Sequence, residues 1–152
     1  MSAPLRLVLD TNVVIDWLVF DDPYLAAFRQ HVLARRVLVM TNELARSELA
    51  RVLEYPMLKL DAARRREVLE RYEAQATMAV MPNGFTAGAL QLPEKFPHCR
   101  DRDDDAFLAL AFHSQAAGLV TRDKALLKLR KRAGKFGVQI LEVPQMVGLI
   151  GA

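Results

Sequence analysis

The chain alternates between short apolar runs and longer stretches in which apolar residues recur every three or four positions. The short runs are Leu5-Arg6-Leu7-Val8-Leu9, Val37-Leu38-Val39-Met40, Gly118-Leu119-Val120-Thr121 and Val138-Gln139-Ile140-Leu141. Runs so short and so nearly unbroken predict strands covered on both faces, as in a parallel sheet. The longer stretches predict helices. The first follows Asp10 at once, with Val13, Val14, Ile15, Trp17 and Leu18 facing the sheet. A second is expected from Tyr24 to Ala34, with Asp22 as its cap, Pro23 at its first position and Leu25, Phe28, Val32 and Leu33 on its stripe. Thr41 is expected to cap a third, from Asn42 to Glu54, which Tyr55-Pro56 ends because the residue before proline leaves the α region.

Asp61 opens a long amphipathic helix, expected from Ala62 to Ala79, with Val68, Leu69, Tyr72 and Ala76 inward and a short edge strand at Val80-Met81 after it. Residues 82 to 100 carry Gly84, Gly88, Pro93 and Pro97 and predict a long loop. Asp103 to Ala117 is apolar nearly all round, the mark of a core helix. A basic amphipathic helix is expected from Lys124 to Lys131, closed by Gly134 and Gly137, and Pro144 opens a terminal helix. Strands alternating with helices imply parallel βαβ units, hence an α/β fold: a three-layer α/β/α sandwich around a central parallel sheet.

Composition narrows the setting. The 152 residues are expected to form one domain, 1–152, large enough for a real core. At 52% apolar and 26% charged residues the chain has a globular composition. No apolar run approaches the roughly 20 residues of a membrane span, so no membrane association is expected. Met1 to Pro4 leads straight into the first strand, so no signal peptide is expected. Cys99 is the single cysteine, which excludes a disulfide framework and suits a reducing cytoplasm. The net charge of +3 barely favours nucleic acid, but its distribution says more. Bases gather at Arg64-Arg65-Arg66 and from Arg122 to Lys135, acids at Asp101, Asp103, Asp104 and Asp105.

Four carboxylates fall where this fold can bring them together. Asp10 and Asp123 each follow a strand and share one edge of the sheet, where ligands of open α/β folds bind. Asp105 opens the core helix before the Asp123 strand, and Glu48 lies on the inner line of its helix, four residues from both Leu44 and Val52. Each has a plain structural reading. Asp10 could cap the next helix, and Glu48 could sit in an ion pair. The helix dipole favours acids in a first turn by about 0.3–1 kcal/mol each. That accounts for one or two acids, less well for four between positions 101 and 105.

Two carboxylates about 5 Å apart repel by roughly 3 kcal/mol at an effective dielectric of 20. Several such pairs are too costly for a domain of ordinary stability, about 5–15 kcal/mol. A divalent cation removes the cost. An all-oxygen set suits Mg²⁺ or Mn²⁺ better than Zn²⁺, and such an ion polarises a phosphoryl oxygen and activates water.

Four segments carry a resemblance: Val8 to Val13, Asn42 to Leu53 around Glu48, Arg100 to Ala111, and Leu119 to Lys124. In this order and spacing they resemble the acidic motifs of PIN domains, over residues 5 to 147, and within them the bacterial toxin components of toxin–antitoxin pairs. The resemblance implies a PIN-like fold and a metal-dependent endoribonuclease that leaves a 5′-phosphate and a 3′-hydroxyl. It implies Asp10, Glu48, Asp105 and Asp123 as catalytic, metal-holding acids, with Asp104 and Asp101 as further candidates. Thr11, Asn12 and Thr121 would give polar support; Arg122, Lys124 and Lys128 would hold the RNA backbone. Arg122 stands where the family often has a small residue. The family also implies a homodimer, for which Trp17, Phe20 or Phe28 could serve, and an antitoxin partner.

Other classes fit less well. An aspartyl-nucleophile phosphatase wants a second aspartate two residues after the first, where this chain has Asn12. A response-regulator receiver needs paired acids at the first strand. The rival from another class is a non-catalytic module that binds RNA or protein, in which the acids are caps; it would bind no Mn²⁺.

Overall fold

The computed structural model describes residues 3–80, 92–99 and 102–151, with the side chains of 102 and 103 left out. Five parallel strands form one sheet: β1 (Leu5–Leu9), β2 (Val37–Thr41), β3 (Ala76–Met78), β4 (Gly118–Val120) and β5 (Ile140–Leu141). Their order across the sheet is β3-β2-β1-β4-β5. The chain therefore builds outward from β1 to one side and then to the other. Between β1 and β4 the direction of winding reverses, which leaves a crevice beyond the C-terminal ends of those two strands.

The eight helices among the described residues are α1 (Thr11–Leu18), α2 (Ala26–Leu33), α3 (Glu43–Leu53), α4 (Ala62–Gln75), α5 (Arg102–His113), α6 (Lys124–Leu127), α7 (Arg130–Gly134) and α8 (Val143–Ile150). They make the two outer layers of the expected sandwich. Strand alternation divides β1 between two cores. Leu7 and Leu9 join Trp17, Phe28, Leu49, Val68 and Met146 on one face, while Val8 joins Phe107, Leu110, Leu126 and Ile140 on the other. Trp17 meets Phe28 edge-on with ring centroids 5.4 Å apart. Both rings are buried, so of the three residues open to either a dimer face or the core, Trp17 and Phe28 belong to the core and Phe20 alone is exposed.

Several boundaries differ from expectation. Thr41 ends β2, and it is Asn42 that caps α3, its side chain accepting from Ala45 N–H at 2.9 Å. The long helix stops at Gln75, and residues 76–78 pair with β2 as the edge strand, ahead of the Val80-Met81 position expected; Met81 lies outside the described residues. The helix expected from Tyr24 starts as a 3₁₀ turn, Pro23–Leu25, with the Asp22 side chain accepting from Tyr24 N–H at 3.0 Å. The basic helix divides into α6 and α7. Of the long loop, residues 92–99 are described, and they bring Phe96 and Cys99 into the core beside α5.

Candidate metal centre

β1 delivers Asp10 to the crevice. Its carbonyl accepts from Val13 and Val14 N–H and so starts α1, but its side chain makes no capping bond. The cap reading of this carboxylate therefore fails. Its Oδ2 accepts instead from the Thr121 hydroxyl at 2.7 Å, across to the residue that follows β4. Thr121 is fully buried, and its oxygen also accepts from Asp123 N–H at 2.9 Å. One hydroxyl thus ties together the carboxylate after β1 and the backbone carrying the carboxylate after β4. Asp123 caps α6 with one oxygen, accepting from Ala125 N–H at 2.8 Å.

Among the described residues, Asp10, Asp104 and Asp123 form a group whose oxygens lie within 4.8 Å of one another. Asp10 and Asp104 are buried and Asp123 is half-buried. Asp104, a further candidate in the sequence, comes from the first turn of α5, and Asp105, the acid expected here, is placed differently. Its Oδ1 accepts from Cys99 N–H at 2.6 Å and its Oδ2 lies 3.3 Å from His98 Nδ1. Successive residues of a helix point about 100° apart, and of these two carboxylates it is that of Asp104 that joins Asp10 and Asp123. Asp101 lies outside the described residues.

Glu48 lies on α3 in line with Leu44 and Val52, all three half-buried. It lines the same cavity as the three aspartates, and its carboxylate pairs with Arg51 one turn on. The cavity holds about 510 Å³ and its lining is mixed. Asp10, Thr11, Asn12, Glu48, Asp104, Arg122 and Asp123 contribute polar groups, and Ile15, Phe20, Val52, Tyr55, Met57 and Leu58 mainly apolar surface. Thr11 Oγ1 and Asn42 Nδ2 are buried without a hydrogen-bond partner among the described residues. Arg122 stands on the rim, and its Nε lies 3.2 Å from Oδ2 of Asp16 on α1. Sequence reasoning missed Asp16, although a charged residue inside an otherwise apolar helix was a signal of the kind that singled out Glu48. Lys124 and Lys128 are exposed and stand outside the cavity lining.

The electrostatics follow from the burial. Desolvation pushes the Asp104 carboxyl up to about 7, the nearby Asp10 charge adds to it, and a hydrogen bond from Cys99 opposes it. Asp10 is raised too, by burial first; the Thr121 hydroxyl and Thr11 N–H work against this, and the Asp123 charge works with it. Buried acids that hold their protons this firmly give them up to a competing cation. All three donors are carboxylate oxygens, the set that hard divalent cations take.

A match to the PIN domain family spans residues 6–125. The chain belongs to the PIN domain family. This PIN domain is similar to an uncharacterized protein of Methanocaldococcus jannaschii, 25% identical over 126 residues that cover 83% of this chain and 76% of the relative. Its fold is that of a chain in the crystal structure of VapBC2 from Rickettsia felis bound to a DNA fragment from their promoter. The TM-score is 0.60 at 16% identity, over 91% of this PIN domain and 98% of that chain.

Proposed function

We propose that this PIN domain is a Mg²⁺- or Mn²⁺-dependent endoribonuclease, the toxin half of a toxin–antitoxin pair. The observation that carries the reading is the gathering of Asp10, Asp104 and Asp123 in one cavity, at the point where the sheet reverses its winding. The Rickettsia felis VapBC2 neighbour supports an antitoxin partner. No helix among the described residues is long and apolar enough to cross a membrane, and we place the protein in the cytoplasm, where its single thiol stays reduced. The homodimer stays part of the proposal, on surfaces other than Trp17 and Phe28.

In this reading Asp10, Asp104 and Asp123 would hold the cation, and Glu48 offers a fourth carboxylate in the same cavity. A bound cation polarises the phosphodiester and lowers the pKa of the attacking water. Thr121 fixes the orientation of Asp10 and the backbone at Asp123. Arg122 draws the RNA phosphate to the rim by charge alone, which gives affinity without sequence choice; Lys124 and Lys128 extend the same field outside the cavity. Attack of water on phosphorus breaks the P–O3′ bond and leaves a 5′-phosphate and a 3′-hydroxyl.

The test is cleavage of single-stranded and hairpin RNA by the wild type and by Asp10→Asn, in Mg²⁺, in Mn²⁺ and in EDTA. Wild-type cleavage should need the cation, and the variant should lose on the order of 100-fold or more, as for other groups that stabilise charge in the transition state. Cleavage in EDTA, or equal cleavage by the two proteins, would refute the mechanism. RNA binding without cleavage in any cation would favour a non-catalytic binding module.

A further inference from the structure

We propose that Asp105 and Cys99 form a clasp that positions Asp104 for the cation, with Asp105 acting as a positioning residue and not as a ligand. The inference rests on the metal-site reading above. Within residues 92–99, Phe96 is buried and packs on Phe112 of α5 and on Phe136 with ring centroids 5.6 and 5.1 Å apart. Three residues on, the Cys99 N–H bond to Asp105 makes a second anchor. The backbone is then placed so that Cys99 Sγ donates to Asp104 Oδ2 at 3.5 Å. Both aspartates are therefore bonded to one cysteine, one to its amide and the other to its thiol.

The clasp answers a specific need. Asp104 faces Asp10 and Asp123, and without a cation their like charge disfavours an ionised carboxylate held at this position. Turning out, it would meet no cation on the next encounter. The thiol hydrogen bond restrains that oxygen, and Asp105 restrains the thiol. Hydrogen-bonded partners behind a metal ligand typically change metal affinity by about 10- to 100-fold when removed. A thiol is a weak donor, so the effect should lie at the low end of that range, and the backbone bond to Asp105 contributes by holding the thiol in place.

The experiment is calorimetric titration of the whole chain with Mn²⁺, without RNA, at pH 7.5. Asp105→Ala should weaken Mn²⁺ binding about 10-fold. Asp105→Asn should restore it to within about 3-fold of wild type, because an amide oxygen still accepts the Cys99 N–H. Cys99→Ala, which removes the donor itself, should weaken binding at least as much, and Cys99→Ser, which keeps a donor, should recover it. If Asp105 were itself a ligand, Asn would be as damaging as Ala, and that outcome overturns the proposal. Wild-type affinity in Asp105→Ala overturns it as well. Should Asp105→Ala fail to fold, Asp105→Asn decides alone: near-wild-type binding supports the clasp and loss of binding overturns it. Absence of Mn²⁺ binding by the wild type removes the metal site and the clasp together, whereas wild-type binding indifferent to these variants removes the clasp only.

Discussion

Thr121 donates to Asp10 and accepts from Asp123 N–H, so the side chain with the least charge in the cluster sets the geometry of the charged ones. Asp10, which it holds, and Asp104 in the same cluster resist ionisation, and this has a consequence for stability. Asp10 and Asp104 have folded-state pKa values above the ordinary carboxylate value, Asp104 near 7. The folded state therefore binds more protons than the unfolded state between about pH 4 and pH 7. Their contribution is full below the unfolded pKa and is lost as pH rises through the folded one. Metal-free protein should thus lose denaturant stability from pH 5 to pH 7.5, and saturating Mn²⁺ should reverse most of that loss. A metal-free stability that rose over this interval would contradict the electrostatic account. At this scale the sequence was informative where position alone decides: Asp10 and Asp123 each follow a strand. It was uninformative between Asp104 and Asp105, because the phase of a helix depends on where it starts, and sequence leaves that uncertain by a residue or two.

α1 and α2 meet the sheet through Trp17 and Phe28, two rings stacked edge-on in the core under β1. Trp17→Ala should cost about 3–5 kcal/mol in chemical unfolding, the range for removing a large buried aromatic side chain. A loss below 1 kcal/mol would mean that the ring is not the keystone of this layer. The apolar runs announced β1, β2, β4 and β5, because a strand buried on both faces leaves no room for polar residues. The edge strand was misplaced by a few residues. Ala76-Thr77-Met78 carries no such run, and β3 forms because β2 offers it a free edge; local preference did not determine it. The basic stretch after β4 was read as one helix and is two, and Arg130 of the second donates from Nε to the Ile140 carbonyl at 3.0 Å. Part of that positive run therefore holds β5 in place.

Across the whole molecule, the order β3-β2-β1-β4-β5 makes distant acids neighbours. Asp10 and Asp123 are over a hundred residues apart, yet β1 and β4 pair directly, Leu9 opposite Val120, so the residues just beyond both strands must meet. The alternation of strands and helices made the sandwich legible, and the PIN resemblance gave the acids their order. What the alternation does not carry is which carboxylate of a run turns inward, since that depends on packing from residues 92–99. The most direct test is a crystal of the wild-type protein soaked in Mn²⁺, with anomalous differences recorded at the manganese edge. The account predicts a peak held by the carboxylates of Asp10, Asp104 and Asp123, with Asp105 still bonded to Cys99 N–H. A peak ligated by Asp105 in place of Asp104, or no peak in this cavity, would contradict it.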